Sequence, residues 1–207
     1  MRLRLLLPLA LLVTLQAPAG ASEQSERLVL GDLPGSSTWT MVTDESSAEG
    51  WIQEYIPAGQ SVPDYKDIWV VQGFPALKGM DPGRFLAGML KGAEQSCESV
   101  RVNGPKASEE EELKVAYAQL YCGRQVGQDF GANLHIKVIS GRDALYVIQR
   151  EFRVPASTTA GVQSIPADKM KEMIELMRGQ EEANRHLSSN VYVCAPAAAQ
   201  GRCAPPQ

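Results

Sequence analysis

The second half of the chain alternates apolar and polar residues, and this period of two constrains the fold more than any other feature. The clearest stretch places apolar residues at every second position, at Ala132, Leu134, Ile136 and Val138. Such alternation predicts a β-strand with one face on a core and the other in solvent. His135 lies on the polar side of this strand, so we expect it to be exposed to solvent.

Further strands are predicted at residues 39–43, 51–56, 67–74, 99–102 and 144–154, which are rich in aromatic and β-branched residues between turn signals. Residues 113–122 fit a helix and a strand equally well. We interpret them as a strand because Asn103-Gly104, a strong turn signal, precedes them and a strand-turn-strand pattern follows.

Two helices are predicted. Asp81 as N-cap and Pro82 in the first turn begin a helix that runs to about Cys97. Pro166 begins a second helix that runs to about His186, which we expect to be exposed near the helix end. A stripe on this helix comprises Met170, Met173, Ile174 and Met177. A Met-rich stripe can form an adaptable groove for a partner, but a face packed on the core is the commoner case.

These elements predict a single α+β domain over residues 38–194, mainly an antiparallel sheet with two helices packed on it. Residues 22–37 are polar and interrupted by Gly and Pro, and we interpret them as a flexible leader with a short strand at 27–30. The Ala/Pro/Gln-rich residues 195–207 are expected to form a loose C-terminal tail.

Residues 1–21 have the pattern of a secretory signal peptide. Arg2 and Arg4 precede an apolar stretch, and Ala19-Gly20-Ala21 supplies a small-x-small cleavage site. The apolar stretch is shorter than the roughly 20 residues of a membrane-spanning helix. We therefore expect a mature chain that begins near Ser22 in the periplasm or the medium, with no integral membrane segment.

The charge balance disfavours two classes of partner. The chain has 20 basic and 24 acidic residues and a net charge of −4, and removal of the signal peptide makes it more acidic. Nucleic acids and anionic membrane surfaces select for clustered Lys and Arg, so we expect no nucleic-acid partner.

The four cysteines are Cys97, Cys122, Cys194 and Cys203. An even number in an exported chain indicates disulfides, and four cysteines allow three pairings. We predict Cys97–Cys122 and Cys194–Cys203 because each pair is nearest in sequence. No C-x-x-C pair is present to indicate a redox role.

The sequence contains no recognisable catalytic motif, and we predict neither a metal site nor a cofactor. Its two histidines are not spaced as zinc ligands, and no nucleophile elbow or phosphate-binding loop occurs. The acidic residues 109–112 are interpreted as a solvated turn. Glu54, Asp64 and Asp67 could do acid–base work if they converged, but nothing in the sequence brings them together.

The most distinctive irregular segment lies within residues 54–68, where a Pro/Gly-rich loop connects two strands. Such a loop can face a ligand or serve as a rigid structural connection. The residues that we predict for binding are Tyr55, Gln60, Ser61, Asp64 and Tyr65. The two tyrosines are the natural anchors, because an aromatic ring offers a large contact area and the phenol a polar tip.

This segment, together with residues 141–150 (GRDALYVIQR) and 191–194 (VYVC), resembles a family of uncharacterised exported proteins of Gram-negative bacteria. The resemblance extends over residues 51–194 and implies an envelope location without an assigned activity. The order β-β-α-β-β-β-α is also similar to that of Mog1/PsbP-like domains, which implies an antiparallel sheet with helices packed on it.

Two functions from different classes fit these observations. The first is a non-catalytic binding protein that engages a protein or a cell-envelope component, for example as an inhibitor or immunity-type factor. The second is a small periplasmic hydrolase with an unrecognised carboxylate or Ser site. The absence of a recognisable nucleophile, base and metal set favours the binding protein.

Overall fold

The computed structural model describes residues 25–35, 38–161, 167–195 and 203; the predicted signal peptide lies outside them. The strands are β1 (Arg27–Val29), β2 (Trp39–Ser46), β3 (Trp51–Pro57), β4 (Asp67–Phe74), β5 (Val100–Glu110), β6 (Leu113–Cys122), β7 (Phe130–Ser140), β8 (Leu145–Pro155) and β9 (Tyr192–Cys194). The helices are α1 (Pro82–Glu94) and α2 (Met170–Ser189), and a short 3₁₀ turn at Ala167–Lys169 precedes α2.

Seven strands form one sheet in the order β2-β3-β4-β8-β7-β6-β5, and each neighbouring pair is antiparallel. β1 and β9 pair antiparallel in a separate two-stranded sheet. The chain is therefore a single α+β domain with a large antiparallel sheet and two helices, as the sequence predicted. The interpretation of residues 113–122 as a strand is also confirmed.

The two helices pack on opposite faces of the sheet. Asp81 caps α1 by accepting a hydrogen bond from the Arg84 main-chain N–H, as predicted from the sequence. Leu86 and Leu90 of α1 pack against the face that contains Ala118, Val147 and their neighbours. Because side chains alternate along a strand, the intervening residues point to the other face, which α2 covers.

The face beneath α2 is partly polar, and the predicted exposure of the two histidines is wrong. Leu187 packs with Trp69 and Val115 in an apolar cluster, but His135 and His186 are only 1% and 2% exposed. Lys137 is completely buried. The strand alternation is as predicted; the polar side of β7 is buried because α2 lies across it.

Three of the four residues of the Met-rich stripe of α2 are exposed and Met173 is half-buried, so the stripe is not packed on the core as the sequence favoured. Met170, Ile174 and Met177 are 53%, 50% and 62% exposed. The fully buried residues of this helix are Ala183, His186 and Leu187. The close contacts of α2 with the sheet therefore begin at Gly179, whose main-chain oxygen accepts a hydrogen bond from Arg150 Nη1 at 3.4 Å, and continue through the C-terminal half of the helix.

The predicted turn at Asn103-Gly104 is wrong. β5 continues through these residues, with a shift in its register against β6 between Asn103 and Lys106. The chain reverses at Glu111 and Glu112, which have positive φ angles of 48° and 67°. Glu111 and Glu112 thus form the predicted solvated turn, but Glu109 and Glu110 are the last residues of β5. Glu110 is half-buried beside Lys137, so the prediction of a solvated turn is wrong for this residue.

The N-terminal segment contributes β1, close to the short strand predicted at 27–30. Glu26, which precedes β1, is buried. Its carboxylate accepts hydrogen bonds of 2.8 Å from the main-chain N–H groups of Arg142 and Asp143. The Asp143 carboxylate in turn accepts the Glu26 N–H at 2.7 Å. This reciprocal pair fixes the described part of the segment to the β7–β8 turn.

Both predicted disulfides are present, Cys97–Cys122 and Cys194–Cys203. Pairing of all four cysteines is typical of proteins outside the reducing cytoplasm. In the part of the chain that the structure describes, no helix combines the length and apolarity that crossing a bilayer requires.

Candidate functional site

A groove lies between the β5–β6 edge of the sheet and the C-terminal half of α2. Its volume is about 130 Å³ and it opens to solvent. Its walls include Asn103, Lys106, Tyr117, Gln119, Asn184 and Leu187. Amide, phenol and ammonium groups thus stand beside aliphatic surface, a composition typical of sites that orient a small ligand by a few hydrogen bonds.

The shift of register in β5 creates one wall of this groove. Asn103 lies opposite Gln119, and Lys106 lies opposite Tyr117. Residues three apart on a regular strand face opposite sides, so the extra residue is what brings Asn103 and Lys106 to the same face. Gly104, at φ +118°, permits this, because a Cβ there would lie 2.7 Å from the Tyr117 main-chain oxygen.

Gln119 holds the polar side chains of the groove in fixed positions. Its Oε1 accepts hydrogen bonds from Asn103 Nδ2 at 3.1 Å and from the Tyr121 hydroxyl at 3.3 Å. Its Nε2 donates to Asn184 Oδ1 at 3.0 Å. One side chain therefore joins β5, β6 and α2 in a network that preorganises the groove.

His135 lies behind this network rather than on its surface. Its Nδ1 is 2.7 Å from Asn184 Oδ1, and since an amide oxygen can only accept, Nδ1 carries the proton. Burial lowers the pKa of His135; the Asn184 hydrogen bond opposes that shift and the charge of Arg150 adds to it. The imidazole is therefore neutral at pH 7.

A buried cation fixes the end of α2 beside the groove. Lys137 Nζ donates to Glu110 Oε2 at 2.7 Å, and to the main-chain oxygens of Leu187 and Val191 at 2.9 Å and 2.7 Å. Glu110 also accepts a hydrogen bond from the Tyr117 hydroxyl. The ammonium is thereby neutralised and its donors are used within the protein.

A second buried ion pair lies under α2, toward β4. Arg150 Nη2 and Nε donate to the two carboxylate oxygens of Asp67 at 2.6 Å and 3.0 Å. The guanidinium also lies 4.6 Å from the centroid of the Phe152 ring and 5.3 Å from that of Trp69. Burial raises the pKa of Asp67 although the Arg150 hydrogen bonds and charge act against it. This pair is a structural contact between strands.

The arrangement suits hydrogen-bonded binding rather than proton transfer. His135 is buried behind two amides, and Glu110 is engaged by Lys137 and Tyr117. Within the described residues, no group of three or more His, Cys, Asp or Glu side chains is placed to hold a metal ion. The groups that face the groove can orient hydroxyl, amide or carbonyl groups of a ligand.

Most of the binding residues predicted from the sequence lie together in the β3–β4 loop, away from the groove. Gln60 Oε1 accepts the Lys66 main-chain N–H at 2.7 Å, and the Ser61 hydroxyl donates to Asp64 at 3.3 Å. These bonds are internal to the loop, which is the contact pattern of a rigid structural connection.

Tyr65 is held by β8 instead of projecting from this loop. Its hydroxyl donates to Glu151 Oε1 at 3.1 Å, and the guanidinium of Arg153 lies 3.6 Å from its ring centroid. Burial raises the pKa of Tyr65, and the negative charge of Glu151 adds to that shift.

Tyr55 does not join the other predicted binding residues. It is paired with Trp69 across β3 and β4 and packs in the cluster beneath α2. Tyr65 packs instead against Ile56, Ile68 and Val70 on the opposite face. The two predicted anchors therefore cannot bind one compact ligand.

The three carboxylates considered for acid–base work do not converge. Asp67 pairs with Arg150, Glu54 accepts a hydrogen bond from Thr43 Oγ1 at 2.5 Å, and Asp64 accepts one from Ser61. Glu54 and Asp67 also lie on opposite faces of the sheet. Glu54 pairs with Val70 of β4, and Val70 is three residues from Asp67 on the same strand, so the two side chains point in opposite directions. Each carboxylate has its own structural partner.

No family model matches the chain, and no curated protein matches it. The solved structures similar to it include PA94, a protein of unknown function and putative regulator from Pseudomonas aeruginosa, and LpqN, involved in cell envelope biogenesis of Mycobacterium tuberculosis.

PA94 is 13% identical, with a TM-score of 0.36 over 68% of this chain and 94% of its own. LpqN is 14% identical, with a TM-score of 0.37 over 85% of this chain and 87% of its own. Similarity at this level does not transfer a function, and the resemblances described from the sequence stay predictions.

Proposed function

We propose that the protein is an exported, non-catalytic binding protein that holds a polar group of a cell-envelope component in the groove between β5, β6 and α2. The two disulfides support a location outside the cytoplasm. The predicted signal peptide and acidic composition agree with a periplasmic or secreted protein that binds neither nucleic acid nor an anionic membrane surface.

The observation that carries this proposal is the Gln119 network. It fixes Asn103 and Asn184, which belong to different elements, at the surface of one groove. Both asparagines are exposed, so neither is needed to fill the core. A preorganised set of donors and acceptors reduces the entropy that a ligand loses on binding. The hydrogen-bonded set of Gln119, Asn103 and Asn184 is therefore suited to binding a ligand rather than to packing the core.

Co-sedimentation with isolated bacterial cell envelopes tests the proposal. The purified mature protein should sediment with the envelopes, whereas the double variant Asn103→Ala/Lys106→Ala should remain largely in the supernatant. Both positions are exposed on β5, so the melting temperature of this variant should stay within a few degrees of the wild type.

Lys114→Ala is the matched control. Lys114 is an exposed lysine of the adjacent strand, and it pairs with Glu109 on the face away from the groove. This variant should sediment like the wild type. Equal sedimentation of the groove double variant and the wild type would refute a role for the groove, and a wild-type protein that stays in the supernatant would refute envelope binding.

A further inference from the structure

We infer that the group held in this groove is a neutral, hydroxyl-rich saccharide unit; this inference rests on the proposed function and names its ligand class. The groove presents side chains that both donate and accept, beside an aromatic and aliphatic wall. A sugar ring has the matching surface: hydroxyl groups that donate and accept at its edge, and C–H groups on its faces.

The side-chain atoms that remain for a ligand include both donors and an acceptor. Gln119 uses its oxygen on Asn103 and Tyr121 and its nitrogen on Asn184, so it positions the other side chains. Asn103 Oδ1 then remains as an acceptor, and Asn184 Nδ2 and the ammonium of Lys106 remain as donors. A set that contains both donors and an acceptor suits adjacent hydroxyl groups, each of which can serve in both roles.

The walls supply apolar surface as well. Tyr117 and the buried Leu187 are also among the residues that line the groove. An aromatic ring beside hydrogen-bonding amides can cover the C–H face of a sugar while its hydroxyl groups are bound at the edge. A wholly ionic ligand would make no use of this surface.

The charges favour a neutral ligand over an anionic one. Lys106 is the charged side chain among the lining residues, and the chain as a whole carries −4. Glu111 and Glu112 form the β5–β6 turn of the same hairpin. The carboxylates at this end of the hairpin would repel a polyanion, and the described residues that line the groove include no cluster of cations to bind it. Lys106 therefore serves as a hydrogen-bond donor at the rim.

The size of the groove restricts how much of a glycan it holds. Its volume of about 130 Å³ lies below the roughly 300–1,000 Å³ of sites that enclose a drug-sized ligand. It therefore accommodates one sugar unit, with the rest of the chain outside. The affinity for a single sugar unit is correspondingly modest.

Chemical treatment of the envelopes used for co-sedimentation tests this inference. Periodate cleaves the carbon–carbon bond between adjacent hydroxyl groups, whereas a protease removes accessible protein and leaves glycans. We expect periodate to reduce the fraction of sedimented protein at least tenfold, and protease to change it less than twofold. We expect the apparent Kd for untreated envelopes to change less than threefold between 50 and 500 mM NaCl, because counterion release is absent for a neutral ligand.

The outcomes separate this inference from the proposed function. Binding to untreated envelopes that resists periodate, is lost after protease, or falls steeply with salt overturns the saccharide and leaves envelope binding intact. Absence of binding to untreated envelopes overturns both. As a direct control, cellotetraose at millimolar concentration should compete with envelopes for the wild-type protein better than tetragalacturonate; the reverse order would show that an anionic ligand is preferred.

Discussion

Lys137 Nζ lies 2.9 Å from the main-chain oxygen of Leu187, although the lysine side chain is completely buried. The last carbonyl groups of a helix have no partners within the helix, and a cation near them is favourable. Lys137 thus caps the C-terminal end of α2 from a central strand, while Glu110 neutralises its charge. The position of α2, and with it one wall of the groove, depends on this contact.

Lys137→Met is therefore expected to lower the free energy of unfolding by about 3 kcal/mol, because it leaves the partly buried Glu110 carboxylate and two carbonyl groups without their donor. Urea unfolding at pH 7 measures this. The control is Lys171→Met, on the exposed face of α2, where the 3.9 Å pair with Glu175 should contribute less than about 0.5 kcal/mol. Equal effects at the two lysines would show that the buried cation is not a stabilising cap.

Stability should decrease as the pH falls below the ordinary histidine pKa of 6.5. Burial lowers the folded-state pKa of both His135 and His186, so the unfolded chain binds more protons than the folded one as the pH drops through this range. Urea unfolding at pH 7.5 and pH 5.5 should show this loss. The double variant His135→Gln/His186→Gln should lose less stability over the same interval.

The buried carboxyl groups act in the opposite sense. Burial raises the pKa of Asp67 and Glu151, so their protonation on acidification relieves a cost of the folded state. Comparison with the histidine double variant isolates the imidazole contribution, because both proteins retain these carboxyls. An identical pH dependence of the two proteins would contradict a role for the histidines.

The local elements and the disulfides could be predicted because each depends on neighbouring residues. The N-cap at Asp81, the alternation along β7 and the proximity of Cys97 to Cys122 are all visible within about 25 residues of sequence. The groove could not be predicted, since Asn103, Gln119 and Asn184 come from three separate parts of the chain. Only their hydrogen bonds across two strands and a helix bring them together.

Two misinterpretations have physical causes. A strand whose polar face lies in solvent and a strand whose polar face is covered by a helix have the same alternation of polar and apolar residues. The sequence around His135 and Lys137 therefore does not indicate that these side chains are buried. Asn103-Gly104 is a turn signal because glycine permits positive φ, but a β-bulge uses the same property. Gly104 allows β5 to approach the Tyr117 main chain closely, and the chain turns later, at Glu111.

Tyr65→Ala should lower the free energy of unfolding by about 1–2 kcal/mol, since the ring is packed under Arg153 and its hydroxyl is bonded to Glu151. Tyr65→Phe, which keeps the ring, should lose about 1 kcal/mol or less. Neither change should alter envelope binding by the groove. If Tyr65→Ala abolished binding at unchanged stability, the β3–β4 loop would be the binding surface instead.

Removal of the Cys97–Cys122 disulfide by Cys97→Ala/Cys122→Ala should lower the free energy of unfolding by about 3.5 kcal/mol, because the bridge closes a loop with a sequence separation of 25. The Cys194→Ala/Cys203→Ala variant, with a separation of 9, should lose about 2.6 kcal/mol on the same basis. Non-reducing peptide mapping of the wild type checks the pairing first. A link between Cys97 and Cys194 would contradict the predicted connectivity.

Side-chain amide NMR of the ¹⁵N-labelled mature protein tests the groove most directly. On titration with soluble oligosaccharides released from cell envelopes, the NH₂ resonances of Asn103, Gln119 and Asn184 should shift together and saturate with a single Kd. Gln60, in the β3–β4 loop, provides an internal control and should not move. Shifts of Gln60 and of the loop main chain, with the three groove amides unchanged, would contradict the account.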